Sequence, residues 1–299
     1  MSVPMFERSN DMKLTVGSIS AYPSNLSICY LETRSITYAC VVQKTQVHTV
    51  NWDTKNESVN WDSINISDTS TDRPINVLQA ALVLPAARTL PLLVVGTTCG
   101  VQIFDIRTQK LLQQENIETG IDEPDDSAFW NSFCRGITCN NNTILIVEDS
   151  NSVSYVLRET VRAHRYMEIP NSWHPITAMN VLRKQAILGT VRGRILFYSV
   201  TNGELMAEVC AHARAVTCIS VAPESAYVLT GSEDGRFIVY KLHTRKPQAY
   251  QVEYRYSDEL PNCAIMGAQF TNGRGSNIAV ACFDHNAIYV YRIVKKTGP

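Results

Sequence analysis

Six histidines and nine cysteines are the residues of this chain best suited to hold a metal or carry a nucleophilic reaction. The histidines stand at 48, 164, 174, 212, 243 and 285, with no metal-ligand spacing among them. The cysteines stand at 29, 40, 99, 134, 139, 210, 218, 263 and 282. No C-x-x-C pair occurs, and the closest two, Cys134 and Cys139, are five residues apart. Most lie inside apolar runs, as Cys29 does in Ser-Ile-Cys-Tyr and Cys282 in Val-Ala-Cys-Phe. That placement points to reduced, buried thiols acting as small hydrophobes, and hence to a reducing compartment. Nucleophile signatures are missing as well: there is no G-x-x-x-x-G-K-[ST] loop, no G-x-S-x-G elbow and no H-E-x-x-H helix. Gly231-Ser-Glu-Asp-Gly235 has its serine directly after the first glycine and reads as a hairpin, and Asp284-His285 reads as a solvated turn pair. No catalytic residue, metal ligand or cofactor is assigned.

The elements that would position any such residue must come from 299 residues of globular composition, 45% hydrophobic and 18% charged. A net charge of -1 and a pI near 6.6 remove the electrostatic case for nucleic acid or an anionic membrane surface. The start, Met-Ser-Val-Pro-Met-Phe-Glu-Arg, has no apolar core, so no signal peptide is expected. The most apolar stretch, Ala80 to Gly96, is broken by Pro85, Arg88 and Pro91 into two strand-length pieces, well short of the roughly 20 apolar residues of a membrane span.

Internal repetition decides the fold class. From His212 to Leu242 the chain reads as three strands, Val216 to Val221, Tyr227 to Gly231 and Phe237 to Leu242, with Asp234-Gly235 as a hairpin signal between the last two. The third-strand pattern recurs with Phe104, Val156, Tyr198, Tyr240 and Tyr291 at one position, at spacings of 52, 42, 42 and 51 residues. An earlier unit covers Leu26 to Leu31, Ile36 to Val42 and Val47 to Trp52, which makes six units in all. One such unit cannot bury both faces of its sheet, whereas radial stacking buries them against one another and ring closure removes the edges. No amphipathic helical period is present. The last unit lacks a fourth strand, and Met12-Lys-Leu-Thr-Val16 alternates suitably to fill that outer place by joining the chain ends. This divides the chain into a tail at 1–11, one domain at 12–294 with a flexible polar loop at 53–74 and an acidic loop at 116–127, and a tail at 295–299.

The unit from His212 to Leu242 resembles the WD repeat: Ala211-His212 stands for Gly-His, Pro223 marks the first turn, Thr230-Gly231-Ser232 lies in the second strand, and Tyr240-Lys241 stands for Trp-Asp. The resemblance implies an all-β WD-repeat-like β-propeller with six recognisable blades and room for a seventh, a blade having been lost near 134–160 if seven is the ancestral number. It also implies a structural network of His212, Thr230 and Asp234 with Tyr240 in the tryptophan slot. The function implied is protein binding without catalysis.

Loop aromatics and charges supply the candidate contacts. Trp61, Trp130 and Trp173 fall outside the repeated third-strand slot, and exposed loop aromatics often anchor interfaces, although covering a blade edge is the plainer role. Trp173 and Arg214 on loops leading into blades, with Glu233 and Arg236 on the hairpin, are expected to line one ring face that takes a peptide or another domain. The basic residues Arg158, Arg162, His164 and Arg165 and the acidic run 122–126 read as solvated faces, or as complementary patches that steer a partner or support self-association. The function expected is therefore a cytoplasmic, reducing-compartment scaffold or adaptor for other proteins, with vesicle association as one setting. It has no nucleic acid, integral membrane segment or small-molecule cofactor. The alternatives are an obligate subunit of a trafficking, signalling or ciliary assembly and, more remotely, a propeller hydrolase with carboxylates or histidines in its channel.

Overall fold

The computed structural model describes residues 5–9, 11–13, 24–31, 33–53, 58–69, 71–84, 88–116, 136–140, 143–147, 154–157, 176–199, 203–243 and 250–294. Every regular element among them is a β-strand. Among the described residues no helix is long and apolar enough to cross a membrane.

The strands form antiparallel meanders arranged about one axis. The first blade is β3 (Leu26–Leu31), β4 (Ile36–Gln43), β5 (Gln46–Asp53) and β6 (Ser58–Asn65). The second is β7 (Val77–Val83), β8 (Leu92–Thr97), β9 (Gly100–Asp105) and β10 (Leu111–Asn116). A three-stranded sheet follows, β11 (Gly136–Asn140), β12 (Thr143–Val147) and β13 (Ser154–Leu157). The third blade is β14 (Ile176–Leu182), β15 (Gln185–Thr190), β16 (Arg194–Ser199) and β17 (Leu205–Cys210). The fourth is β18 (Val216–Ala222), β19 (Tyr227–Ser232), β20 (Arg236–His243) and β21 (Gln251–Glu259). The fifth, β22 (Ile265–Phe270), β23 (Asn277–Cys282) and β24 (Ala287–Ile293), is completed by β1 (Phe6–Arg8), with β2 (Met12–Lys13) also on β24. The first strand of each sheet faces the axis, and each touches the next: β3 with β7, β7 with β11, β11 with β14, β14 with β18, β18 with β22, and β22 with β3. The array is closed.

Burial explains the strand sequences. In β20, Phe237 and Val239 enter the core shared with the fifth blade, while Ile238, Tyr240 and Leu242 enter the core shared with the third. Alternate side chains point to opposite faces, so a strand packed on both sides reads as a continuous apolar run. Four axial strands carry a β-bulge after their first residue, between Val77/Gln79, Ile176/Ala178, Val216/Cys218 and Ile265/Gly267. Successive blades approach closely at second-strand glycines. A Cβ on Gly231 would lie 2.6 Å from Cys218 Sγ and 2.9 Å from Ile265 Cγ2. Polar side chains then bridge the axial strands. Thr177 Oγ1 donates to the Val216 carbonyl (2.5 Å), Thr217 Oγ1 to the Ile265 carbonyl (2.6 Å) and Asn180 Nδ2 to the Ile219 carbonyl (3.0 Å). The Gln269 amide grips Ile28 twice, accepting from its N–H and donating to its carbonyl.

Three expectations are corrected. Five sheets are full blades; the unit near 134–160, expected as a sixth, is a three-stranded sheet among the described residues, and no seventh is described. Its short, weakly punctuated strands are why sequence alone overcounted. Closure does join the two ends, but through Phe6–Arg8, placed by sequence in a tail, as well as through Met12–Lys13; Phe6 is 1% exposed between the fourth and fifth blades and its register partner is Ile293. The stretch 53–74, expected as a loop, contains β6. An outermost strand needs only one buried anchor, here Ile64, and its Asn, Asp and Ser residues beside exposed Val59 and Trp61 imitate a loop. The acidic run 122–126 and the tail 295–299 lie outside the described residues.

Candidate functional site

The most fully determined cluster of polar side chains sits where the fourth blade begins. The loop into β18 carries His212, and the β19–β20 hairpin carries Thr230, Ser232 and Asp234. His212 Nδ1 lies 3.2 Å from Asp234 Oδ2, and Nε2 lies 2.9 Å from Thr230 Oγ1. Burial lowers the His212 pKa, outweighing the pull of Asp234, so the ring is neutral. A carboxylate only accepts, so Nδ1–H donates to Asp234 and Nε2 accepts from the Thr230 hydroxyl. Asp234 also accepts from the backbone N–H of Ala213 (2.9 Å) and of Arg236 (2.9 Å). Burial alone would raise its pKa, but these N–H bonds and His212 outweigh it and hold the carboxyl below its usual value. Ser232 Oγ accepts from Asp234 N–H (3.2 Å) and reaches the Arg214 carbonyl (3.3 Å). The His212 side chain is 0% exposed and Asp234 9%. Both imidazole nitrogens and both carboxylate oxygens of this circuit are engaged, which fixes the turn geometry.

Tyr240 shares that face but not the circuit. Its register partner is Val228, and it packs in the apolar core between the third and fourth blades. No hydrogen bond joins its hydroxyl to His212, Thr230 or Asp234 among the described residues.

Three of the expected contact residues stand on the frozen turn. Arg214 Nε lies 3.6 Å from Glu233 Oε2, with the two side chains 68% and 38% exposed. Arg236, at the start of β20, lies 3.6 Å from Glu259 at the end of β21. Trp61 is exposed on outer strand β6 of the first blade, so it is not brought to this group. Trp130, Trp173 and the basic cluster 158–165 lie outside the described residues.

The axial channel encloses about 380 Å³. Its described lining includes Gln79, Asn180, Ser220 and Gln269, and no Asp, Glu or His among the described residues. A group that sequence reasoning missed lies at the start of the fifth blade: Cys263 Sγ, Cys282 Sγ and a His285 ring nitrogen all fall within 4.8 Å of one another. The signal was available, because β22 and β23 are a hairpin whose register pairs Ile265 with Cys282, which sets Cys263 beside the 283–285 turn. A search for short sequential spacings passes over a pair assembled across strands.

The WDR54 family model matches residues 143–294, half of the chain. The WD repeat-containing protein 54 of Mus musculus is 20% identical, over 94% of this chain and 97% of its own length. Among solved structures, a chain in the crystal structure of a mitotic checkpoint complex superposes with a TM-score of 0.63 at 12% identity, over 96% of this chain and 92% of that one. The Myceliophteria thermophila Cps50 (Swd1) β-propeller domain superposes with a TM-score of 0.60 at 12% identity, over 96% and 88%. At that identity the two structures speak for the fold. Together with the blade network built on His212, the family match places this chain: it belongs to the WDR54 family of WD-repeat β-propellers.

Proposed function

We propose that this chain is a non-catalytic scaffold that binds other proteins or peptides through the propeller face bearing Arg214, Glu233, Arg236 and Glu259. The observation that carries the proposal is the contrast within one turn. Its backbone is pinned by a buried, hydrogen-bonded circuit, while its charged side chains stay in solvent. A rigid frame holding exposed charges presents a surface at little ordering cost to a partner. WD-repeat propellers generally bind proteins, which favours the same reading. In the described channel lining, Asn180, Ser220 and Gln269 are engaged in bonds between blades, which lends no support to a channel hydrolase. A reducing, cytoplasmic setting is part of the proposal; buried Cys40 and Cys218 have thiol pKa values raised to about 12 by burial, as unreactive core thiols would.

Charge reversal at Arg214 and Arg236 tests it. Proteins retained by the unaltered chain in affinity purification should be lost from the double variant while its melting temperature stays unchanged; equal retention rejects the proposal. An obligate-subunit role draws on a different observation, the large apolar side chains of Leu205 and Met206 exposed on outer strand β17. Size exclusion separates the two: a scaffold runs as a folded monomer, and an orphaned subunit aggregates or self-associates.

A further inference from the structure

The fifth blade departs from the second, third and fourth at one register position. The residue ending the second strand of a blade, opposite the first residue of its axial strand, is Thr97 (opposite Val77), Thr190 (Ile176), Ser232 (Val216) and Cys282 (Ile265). In the first three the hydroxyl serves the following turn. Thr97 Oγ1 accepts from Cys99 N–H, Thr190 Oγ1 accepts from Arg194 N–H, and Ser232 Oγ accepts from Asp234 N–H. The fifth blade replaces that oxygen with sulfur and brings two more donors of the same preference beside it.

We propose that Cys263, Cys282 and His285 form a zinc site with three protein ligands and a fourth position open to water or an exogenous donor. The donor set, two thiolates and one imidazole, suits a borderline-soft d¹⁰ ion. Cys263 Sγ lies 3.6 Å from His285 Nε2. With Zn–S near 2.3 Å and Zn–N near 2.0–2.1 Å, a tetrahedral S···N edge is about 3.6 Å. All three donor atoms lie within 4.8 Å of one another, so small side-chain rotations complete the set.

The imidazole is also held as a ligand imidazole is held. Its Nδ1 lies 2.6 Å from the Tyr289 hydroxyl, and the two rings meet edge to face. With Nδ1–H donating to Tyr289, the Nε2 lone pair faces the sulfurs, the orienting partner that metal-bound histidines commonly have. Tyr289 is itself fixed beneath the Arg8 guanidinium, 4.5 Å from the ring centroid. Cys282 is buried, while Cys263 and His285 are half-buried, so an ion has a path from solvent. Binding converts two thiols to thiolates and releases two protons for each ion taken up.

The test uses the full chain kept reduced with a phosphine, dialysed to equilibrium against zinc chloride, with metal measured by mass spectrometry. One zinc per chain is expected. Cys263→Ser and His285→Gln each should remove it, Tyr289→Phe should weaken binding by roughly tenfold to a hundredfold, and Cys99→Ser, at an exposed cysteine elsewhere, should leave it intact. Cobalt in place of zinc should show a thiolate charge-transfer band that Cys263→Ser abolishes. Because Cys263 and His285 lie on turns, melting curves of the metal-free variants confirm that they fold. No zinc uptake, uptake indifferent to either substitution, or a Cys263–Cys282 disulfide under the same reducing conditions would overturn the assignment.

Discussion

The starts of the fourth and fifth blades occupy the same station of the ring and solve it with opposite chemistry. In the fourth, His212, Thr230 and Asp234 form a closed circuit in which a neutral imidazole gives one proton and takes another. In the fifth, a histidine of the same general reach has one nitrogen tied to Tyr289 and the other turned toward two sulfurs. The first arrangement leaves its imidazole no lone pair to offer. The second gathers two sulfurs and an imidazole nitrogen within 4.8 Å of one another. Occupied valence makes a turn rigid and inert, and unoccupied valence at the same place makes it a site. The distinction lies in bonding state and not in residue type, since both contain a histidine.

Three measurements would break or sharpen this contrast. Asp234→Ala strips partners from His212 Nδ1–H and from the Ala213 and Arg236 N–H groups together, and should cost about 3 kcal/mol in urea unfolding. His285→Ala, in metal-free protein, should cost about 0.5 kcal/mol or less; equal losses would show that both clusters are only structural. The second measurement is pH. Because the folded His212 pKa lies below the unfolded value of 6.5, the unfolded chain binds the extra proton first. Its contribution is complete above about pH 6.5 and is lost as pH falls from there toward the folded pKa, at no more than about 1.4 kcal/mol per pH unit for one proton. The melting temperature should fall over that window, and His212→Gln, itself less stable, should show a shallower fall. The smallest effect belongs to Tyr240→Phe, which should stay within about 0.5 kcal/mol because the hydroxyl is outside the circuit.

Much of the architecture was legible in the sequence because the second and third strands are packed on both faces and must be apolar, as Phe237 to Leu242 shows. Asp234-Gly235 announced its hairpin for an equally local reason, the positive φ that glycine tolerates. Outer strands were illegible: Ser58–Asn65 buries Ile64 alone among its described side chains, and its Asn, Asp and Ser residues read as a loop. The β-bulges left no compositional trace, since they are set by contact with the next blade. His212, Thr230 and Asp234 could be named because the unit resembles the WD repeat, which implies a network at those positions. Cys263, Cys282 and His285 could not be read as a run, although hairpin register would have assembled them. Tyr240 shows the limit of reading by slot, because a tyrosine can fill the tryptophan's volume without inheriting its hydrogen bond.

The pairing of Phe6 with Ile293 has a consequence for how the molecule comes into being. The segment Phe6–Arg8 must wait, unpartnered, until the chain has been synthesised through β24 before the edge it pairs with exists. Through that interval the nascent chain holds an incomplete circle with two raw strand edges, a state open to pairing with a neighbouring ribosome's product. Birth order, and not only equilibrium stability, therefore sets when this protein is most vulnerable to aggregation.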